Sequence, residues 1–186
     1  MKKRTKILST IILSLTIVGV IYWQYRVEIA NYFLLKHIVV WSKNVKIKYE
    51  DFQEAPDLDS EFDIHYYHGF YLNSSPIEKA YVKAFFDKNK SWVKDTTKFN
   101  FQELLVMEKI EFDLAECYAR KFNREIDEIK GNENVSFSDL EEIGDKIYVE
   151  YDDARSQFYN DKERNITQLI EFWKPKVDKL LKESEE

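Results

Sequence analysis

The strongest amphipathic pattern in the chain lies between Phe101 and Lys130. Apolar residues recur there at alternating intervals of four and three positions, which is the spacing of one face of an α-helix. The members of this face are Phe101, Leu105, Glu108, Phe112, Ala115, Ala119, Phe122, Ile126 and Ile129. Glu108 is the one charged member, and a carboxylate in an apolar face is costly unless it is paired, protonated or open to a cleft. The pattern predicts a long helix and makes Glu108 a candidate functional residue.

Two shorter helices are predicted after the long one. Ser136 and Ser138 are candidate N-caps for a helix through Tyr151, because serine side chains accept hydrogen bonds from free backbone N–H groups at a helix start. The range Asn165–Lys182 repeats the helical spacing, and Pro175 within it predicts a kink. Each of these segments has one apolar face, as expected of helices that pack on a core.

The region before the long helix favours strands. Lys46–Phe52 alternates polar and apolar residues, and Ile64–Leu72 is rich in the aromatic residues that are typical of strands. The pattern between residues 77 and 86 fits either a short helix or the end of a strand. Together these patterns predict an α+β domain over residues 45–186, with a long central helix and a small β-sheet.

Residues 1–26 have the pattern of a membrane anchor. Ile7–Trp23 contains no charged residue and follows a basic start. As a helix it would span roughly 25 Å, slightly less than the ~30 Å hydrocarbon core of a bilayer. By the positive-inside bias, the N-terminus would be cytoplasmic and the body extracytoplasmic. We therefore predict a single-pass membrane protein, with residues 27–44 as a juxtamembrane segment that is either an amphipathic helix or a strand.

A cleaved signal peptide is the alternative for the same segment. Such peptides have an apolar stretch of about 7–15 residues and a small-residue cleavage site. The uncharged run here is longer, and no such site follows it. The uncleaved anchor is therefore our prediction, whereas cleavage would give a secreted protein.

The charge distribution disfavours nucleic acid as a partner. Of the 28 Lys and Arg residues, five lie in residues 1–26, which contain no Asp or Glu. Residues 27–186 therefore carry 23 basic and 34 acidic residues, a net charge of −11. The phosphate groups of nucleic acids bind to basic surfaces. An acidic body repels them.

Cysteine and histidine add no separate site. Cys117 is the only cysteine, which excludes an internal disulfide, and no histidine lies near it in sequence to activate a thiolate. It falls on the polar side of the predicted long helix. His65 and His68 lie three positions apart, so on one strand they would point to opposite faces and would not share a metal.

The sequence around Glu108 resembles a zinc-peptidase helix. In the motif H-E-x-x-H, two histidines one turn apart bind Zn²⁺ and the glutamate polarises the attacking water. Met107–Glu111 occupies this frame and keeps the glutamate. The wider segment Leu104–Arg120 resembles L-L-x-H-E-x-x-H-F-D-I-x-E-x-x-A-R, from a bacterial family of unknown function described as secreted zinc-dependent proteases. Weaker resemblances to motifs of that family occur at Tyr49–Phe52, Lys90–Val93 and Tyr151–Phe158.

The resemblance implies a zincin-like domain whose metal ligands have been replaced. The family's two motif histidines correspond to Met107 and Glu111, and its downstream histidine corresponds to Gln157. A methionine thioether and a neutral amide are poor Zn²⁺ ligands. The resemblance therefore implies a domain that binds no metal or other cofactor, keeps Glu108 at the position of the family's general base and lacks peptidase activity.

Two classes of function stay open on these grounds. The first is a binding module on a bacterial membrane, with a peptide or a cell-envelope protein in the former cleft. The second is an active metal-dependent hydrolase with substituted ligands, in which Glu108, Glu111 and Asp152 would bind a harder ion than zinc.

Overall fold

The computed structural model describes residues 2–60, 62–74, 76–95, 101–131, 135–161 and 163–184. The chain divides into two compact units, with the division between Lys36 and His37. The second unit begins earlier than the residue 45 expected from the sequence. It does so because residues 38–40 pair with the sheet described below.

The first unit consists of one helix, α1 (Lys2–Leu34). Its two arms, Thr10–Arg26 and Glu28–Leu34, are bent by 61° relative to each other. No single helix in the described part of the chain has the length and apolar composition of a membrane span, whereas the two arms together meet that criterion, by length and composition alone. The large apolar side chains of the first arm are exposed: Ile11, Ile12, Leu13, Leu15, Ile17, Val18, Val20, Ile21, Tyr22, Trp23 and Tyr25.

The described part of the second unit contains five short strands. They are β1 (Ile38–Val40), β2 (Ile64–His65), β3 (His68–Asn73), β4 (Tyr81–Asp87) and β5 (Trp92–Val93). Strand β4 lies between β1 and β3 and is antiparallel to both, while β2 and β5 form a separate antiparallel pair. Phe86 lies opposite Val39 on one side and His68 on the other, and this register places His68 beside the core.

Three helices follow the strands, namely α2 (Phe101–Ile129), α3 (Phe137–Asn160) and α4 (Ile166–Glu183). The α+β class, the long central helix and the small sheet are therefore confirmed. The Ser136 hydroxyl caps α3 by accepting from the backbone N–H of Asp139, and the Asn165 side chain caps α4. Helix α3 continues well beyond the predicted end at Tyr151. Pro175 lies within α4 and does not end it.

Two local predictions were wrong or incomplete. The expected strand at Lys46–Phe52 is absent, and Tyr49–Asp51 forms a short 3₁₀ helix instead. The Asp51 side chain accepts a hydrogen bond from the Lys48 backbone N–H at 2.9 Å, and this local bond competes with strand pairing. The juxtamembrane segment, predicted as a helix or a strand, contains both, because α1 extends to Leu34 and β1 follows.

Helix α2 is the centre of the second unit and packs against β4, α3 and α4. Its predicted apolar face is buried from Glu108 to Ile126. The polar side of the predicted helix is partly buried too. Cys117 is only 9% exposed, and burial raises the pKa of its thiol to about 12, so it is a protonated, unreactive core residue.

Candidate functional site

Glu108 lies in the core and contacts one histidine. Its side chain is 1% exposed, and Oε1 lies 3.1 Å from Nε2 of His68, the first residue of β3. The His68 ring is stacked on Phe112, one turn along α2, with ring centroids 5.1 Å apart. His65 belongs to a different strand, β2, and its ring lies near Trp92 instead.

Burial acts on both groups of the contact between Glu108 and His68. Burial raises the pKa of Glu108 well above its ordinary value, and the neighbouring carboxylate of Glu111 raises it further. Burial also lowers the pKa of His68 well below its ordinary value, with a smaller effect from the positive charge of Arg155. Each shift favours the uncharged form of its group. The second ring nitrogen of His68, Nδ1, has no hydrogen-bond partner among the described residues.

Glu111 lies one turn after Met107 on α2. Like Glu108, it is 1% exposed. The Tyr66 hydroxyl donates to its Oε1 at 2.6 Å, and the Tyr159 hydroxyl donates to its Oε2 at 3.0 Å. The guanidinium Nε of Arg155 also donates to Oε2, at 3.4 Å. Both carboxylate oxygens of Glu111 are therefore bonded to donors from the protein itself.

Arg155 links α3 to the segment between β2 and β3. Its Nη2 donates to the Tyr66 carbonyl at 3.3 Å and to the Tyr159 hydroxyl at 3.1 Å. Burial raises the pKa of Glu111, while the Tyr66 hydrogen bond and the charge of Arg155 oppose that increase. The Arg155 guanidinium therefore lies beside the carboxyl group of Glu111 and can compensate its negative charge. Glu111 occupies the position of the second motif histidine of the family.

The three replaced ligand positions differ in burial and bonding. Met107 is a buried core residue, Glu111 is bonded as above, and Gln157 is exposed on α3. Asp152 is also exposed. Within the described ranges, no group of three or more His, Cys, Asp and Glu side chains has a geometry that could hold a metal ion. The residues at these positions do not match the three-histidine donor set of the family's zinc motif.

Other positions of the resemblance have structural roles away from Glu108. Glu116 pairs with Arg120 one turn later at 3.0 Å, and its other oxygen accepts from the backbone N–H of Ala84 in β4 at 3.4 Å. Asp113 accepts from the indole nitrogen of Trp41 at 2.7 Å. These side chains attach α2 to the sheet and to the segment after β1.

Sequence reasoning found Glu108 but missed its neighbours. Arg155 had a detectable signal, because Tyr151, Arg155 and Phe158 are spaced four and three apart on one face of α3. Tyr151 and Phe158 are buried, so the same face carries Arg155 towards α2. For Tyr66 and His68 there was no local signal, since each meets α2 only through the tertiary fold.

Two cavities of about 550 Å³ each flank these glutamates. The aromatic cavity lies on the Glu111 side, and its lining includes Phe62, His65, Tyr66, Leu104, Arg155 and Tyr159. The lysine groove lies between residues 43–47, α2 and α4, and its lining includes Glu108. Both volumes are within the range of ligand sites in proteins.

Comparison with known proteins gives no relative. No protein-family model, curated protein or solved structure matches this chain.

Proposed function

We propose that this protein is a membrane-anchored, extracytoplasmic binding domain with a zincin-like arrangement around α2, and that it has no metal-dependent peptidase activity. The observation that carries the proposal is the bonding of Glu111. Its oxygens accept from Tyr66, Tyr159 and Arg155, so three of the roughly four lone-pair sites on the one replaced ligand position that retains a metal-binding side chain are used by donors from the protein.

Charge supports the same conclusion. A divalent ion beside Glu111 would lie next to the Arg155 guanidinium and would be repelled by it. Glu108 would have to lose a proton that burial stabilises before it could bind a metal or accept a proton from water. Both requirements oppose the alternative reading as a hydrolase with substituted ligands.

The aromatic cavity is the proposed recognition cleft. It combines aromatic walls from Phe62 and Tyr159 with the polar side chains of Asp63, Asp152 and Arg155. Apolar walls with a few directed polar groups are typical of sites that bind peptides and other organic ligands. A peptide segment or a cell-envelope protein is the partner that such a cleft suits in an extracytoplasmic domain.

The membrane location rests on α1. Its first arm exposes a continuous apolar surface, follows a basic start and ends at Arg26 beside aromatic Tyr22 and Trp23. Exposed apolar surface of this extent marks a membrane or protein contact. Aromatic and basic residues at the end of an apolar helix suit the interface of a bilayer.

The full-length protein purified in detergent is expected to contain no stoichiometric zinc. A chelator should leave its melting temperature unchanged, because no folding free energy is linked to metal binding. Elemental analysis and thermal melts measure both quantities. About one zinc per chain, lost in Glu108→Gln or Glu111→Gln, would refute the proposal and support the hydrolase instead.

The mature protein is expected to stay in the membrane fraction with its body outside. Added protease should digest the body in intact spheroplasts and leave a cytoplasmic marker protein untouched. The reason is the uncharged run Ile7–Trp23 after a basic flank. Recovery of a soluble protein that begins after residue 23 would show instead that the segment is a cleaved signal.

A further inference from the structure

Residues 45–48 have the side-chain pattern of a strand but no strand partner. Val45 and Ile47 point towards the core, whereas Lys46 and Lys48 are exposed, and alternation of this kind is typical of a β-strand. The Lys48 backbone is extended. In the described ranges, the backbone N–H groups of Lys46 and Ile47 have no protein acceptor, and the carbonyls of Val45, Lys46 and Ile47 have no protein donor.

This segment forms one wall of the lysine groove. Apolar side chains from three elements line the interior, namely Val45, Ile47, Val106, Ile110 and Val177. The unpaired backbone groups therefore lie beside the apolar interior of the lysine groove.

The rim of the groove is positively charged. Lys109 pairs with Asp113, and Lys174 pairs with Asp178 at 2.7 Å. Lys43 and Lys46 form no ion pair with any described residue. Glu108 in the lining is 1% exposed and contacts His68, so little of its carboxyl group is presented to an anion in the groove. The groove thus has two uncompensated positive charges on a body whose net charge is −11 over residues 27–186.

We propose that the lysine groove binds an extended acidic peptide, which pairs with residues 45–47 as an added β-strand, places its apolar side chains in the groove and sets its carboxylates against Lys43 and Lys46. This inference rests on the proposed function as a binding domain, and it adds a second site with a defined ligand chemistry.

The backbone of residues 45–47 favours a peptide over a lipid. An acyl chain would fill the apolar interior, and an anionic headgroup would satisfy the lysines. It would leave the free N–H and C=O groups of Lys46 and Ile47 without partners, and covering such groups without a hydrogen bond costs free energy. A peptide strand supplies both a donor and an acceptor at the required spacing.

The test uses the full chain in nanodiscs of neutral lipid. The probe is a fluorescent peptide of about eight residues that alternates valine and glutamate. We expect saturable binding, and Lys43→Glu with Lys46→Glu should weaken it by about tenfold or more, since two attractions become repulsions. Lys48→Glu is the matched control, because Lys48 is exposed on the same segment but does not line the groove, and it should change the affinity by less than about threefold.

Backbone pairing is tested with two N-methylated probes. Successive N–H groups of a strand point to opposite edges, so methylation of the valine nitrogens and of the glutamate nitrogens blocks different edges. One probe should lose at least about tenfold in affinity and the other should bind nearly as the parent peptide does. Amide hydrogen exchange should slow at Lys46 or at Ile47, whichever N–H points to the paired edge, and much less at the other, when the parent peptide is bound.

Three outcomes would overturn the inference alone. They are the absence of peptide binding, equal affinity for a valine–lysine peptide, and tolerance of both N-methylated probes. Oleate binding that is lost in the double lysine variant, without peptide binding, would assign the groove to an acyl ligand. Zinc-dependent cleavage of the probe would instead refute the proposed function, so the two failures are distinguishable.

Discussion

Replacement of Arg155 by methionine is expected to lower the free energy of unfolding by about 3–5 kcal/mol at pH 7. Methionine keeps much of the apolar packing against Tyr159 but removes the cation beside Glu111. Glu111 is 1% exposed, so its charge would be left buried with hydroxyl donors only. Denaturant unfolding of the purified protein measures the loss.

The pH dependence identifies the cause. Without Arg155, burial raises the pKa of Glu111 further, so the folded state takes up a proton more readily than the unfolded state. The destabilisation should therefore shrink as the pH falls towards the ordinary carboxyl range. Adding Glu111→Gln to Arg155→Met should recover much of the lost stability. A loss below about 1 kcal/mol, or one that is the same at every pH, would show that the pair does not carry this role.

A surface pair provides the control for Arg155. Lys121 on α2 pairs with Glu150 on α3, and both side chains are more than one-third exposed. Lys121→Met breaks an ion pair between the same two helices in water. The Lys121→Met substitution should lower the free energy of unfolding by less than about 1 kcal/mol.

Replacement of Glu108 by glutamine is expected to stabilise the protein, and more so as the pH rises. Glutamine keeps the shape and a hydrogen bond to His68 but cannot ionise. The folded-state pKa of Glu108 is raised, so its contribution to stability is fully present below the ordinary value of 4.5 and is lost as the pH rises through the raised pKa. At pH 8 the free energy of unfolding of Glu108→Gln should exceed that of the unchanged protein by about 1 kcal/mol or more. This corresponds to roughly 2–4 °C in melting temperature.

The matched control for Glu108 lies on the same helix. Glu128 is exposed, and Glu128→Gln should change the stability by less than about 0.5 kcal/mol at every pH. A loss of 3 kcal/mol or so in Glu108→Gln would mean that the carboxylate is ionised and paired with a buried cation. No change at any pH would mean that Glu108 is solvated.

The sequence could predict α2 because its pattern is local. Burial on one face repeats every three to four residues, and nine positions from Phe101 to Ile129 followed that spacing without a break. The helix caps at Ser136 and Asn165 were predictable for the same reason, since each cap bonds to a residue three positions away. Even the candidate position Glu108 came from the pattern, as the one charge in an apolar face.

The chemistry around Glu108 could not be predicted in the same way. His68 and Tyr66 lie 40 and 45 positions before their glutamate partners, and Arg155 lies 44 positions after Glu111. Only the antiparallel register of β3 and the packing of α3 on α2 bring these side chains together. The burial of Cys117 likewise depends on the tertiary fold, because other elements cover α2 on more than one side.

The segment 45–52 shows a different limit. The alternation at Lys46–Phe52 predicted a strand, and Ile47 is buried, but Tyr49 is 53% exposed and the segment forms no ladder. Alternation reports the burial of one face and contains no information on whether a neighbouring strand exists. The Asp51 side chain bonds instead to the Lys48 backbone N–H, and the backbone N–H groups of Lys46 and Ile47 have no acceptor among the described residues.

The central claim is that internal partners hold Glu108 and Glu111 of α2 and leave no metal site at these two residues. Carbon NMR of the protein with ¹³C-labelled glutamate carboxyls tests it most directly, with Glu108→Gln and Glu111→Gln used to assign the two signals. We expect the Glu108 carboxyl to be protonated at neutral pH and both signals to be unchanged by a several-fold excess of Zn²⁺. A Glu108 signal that is ionised at neutral pH, or a zinc-dependent shift of either signal, would contradict the account.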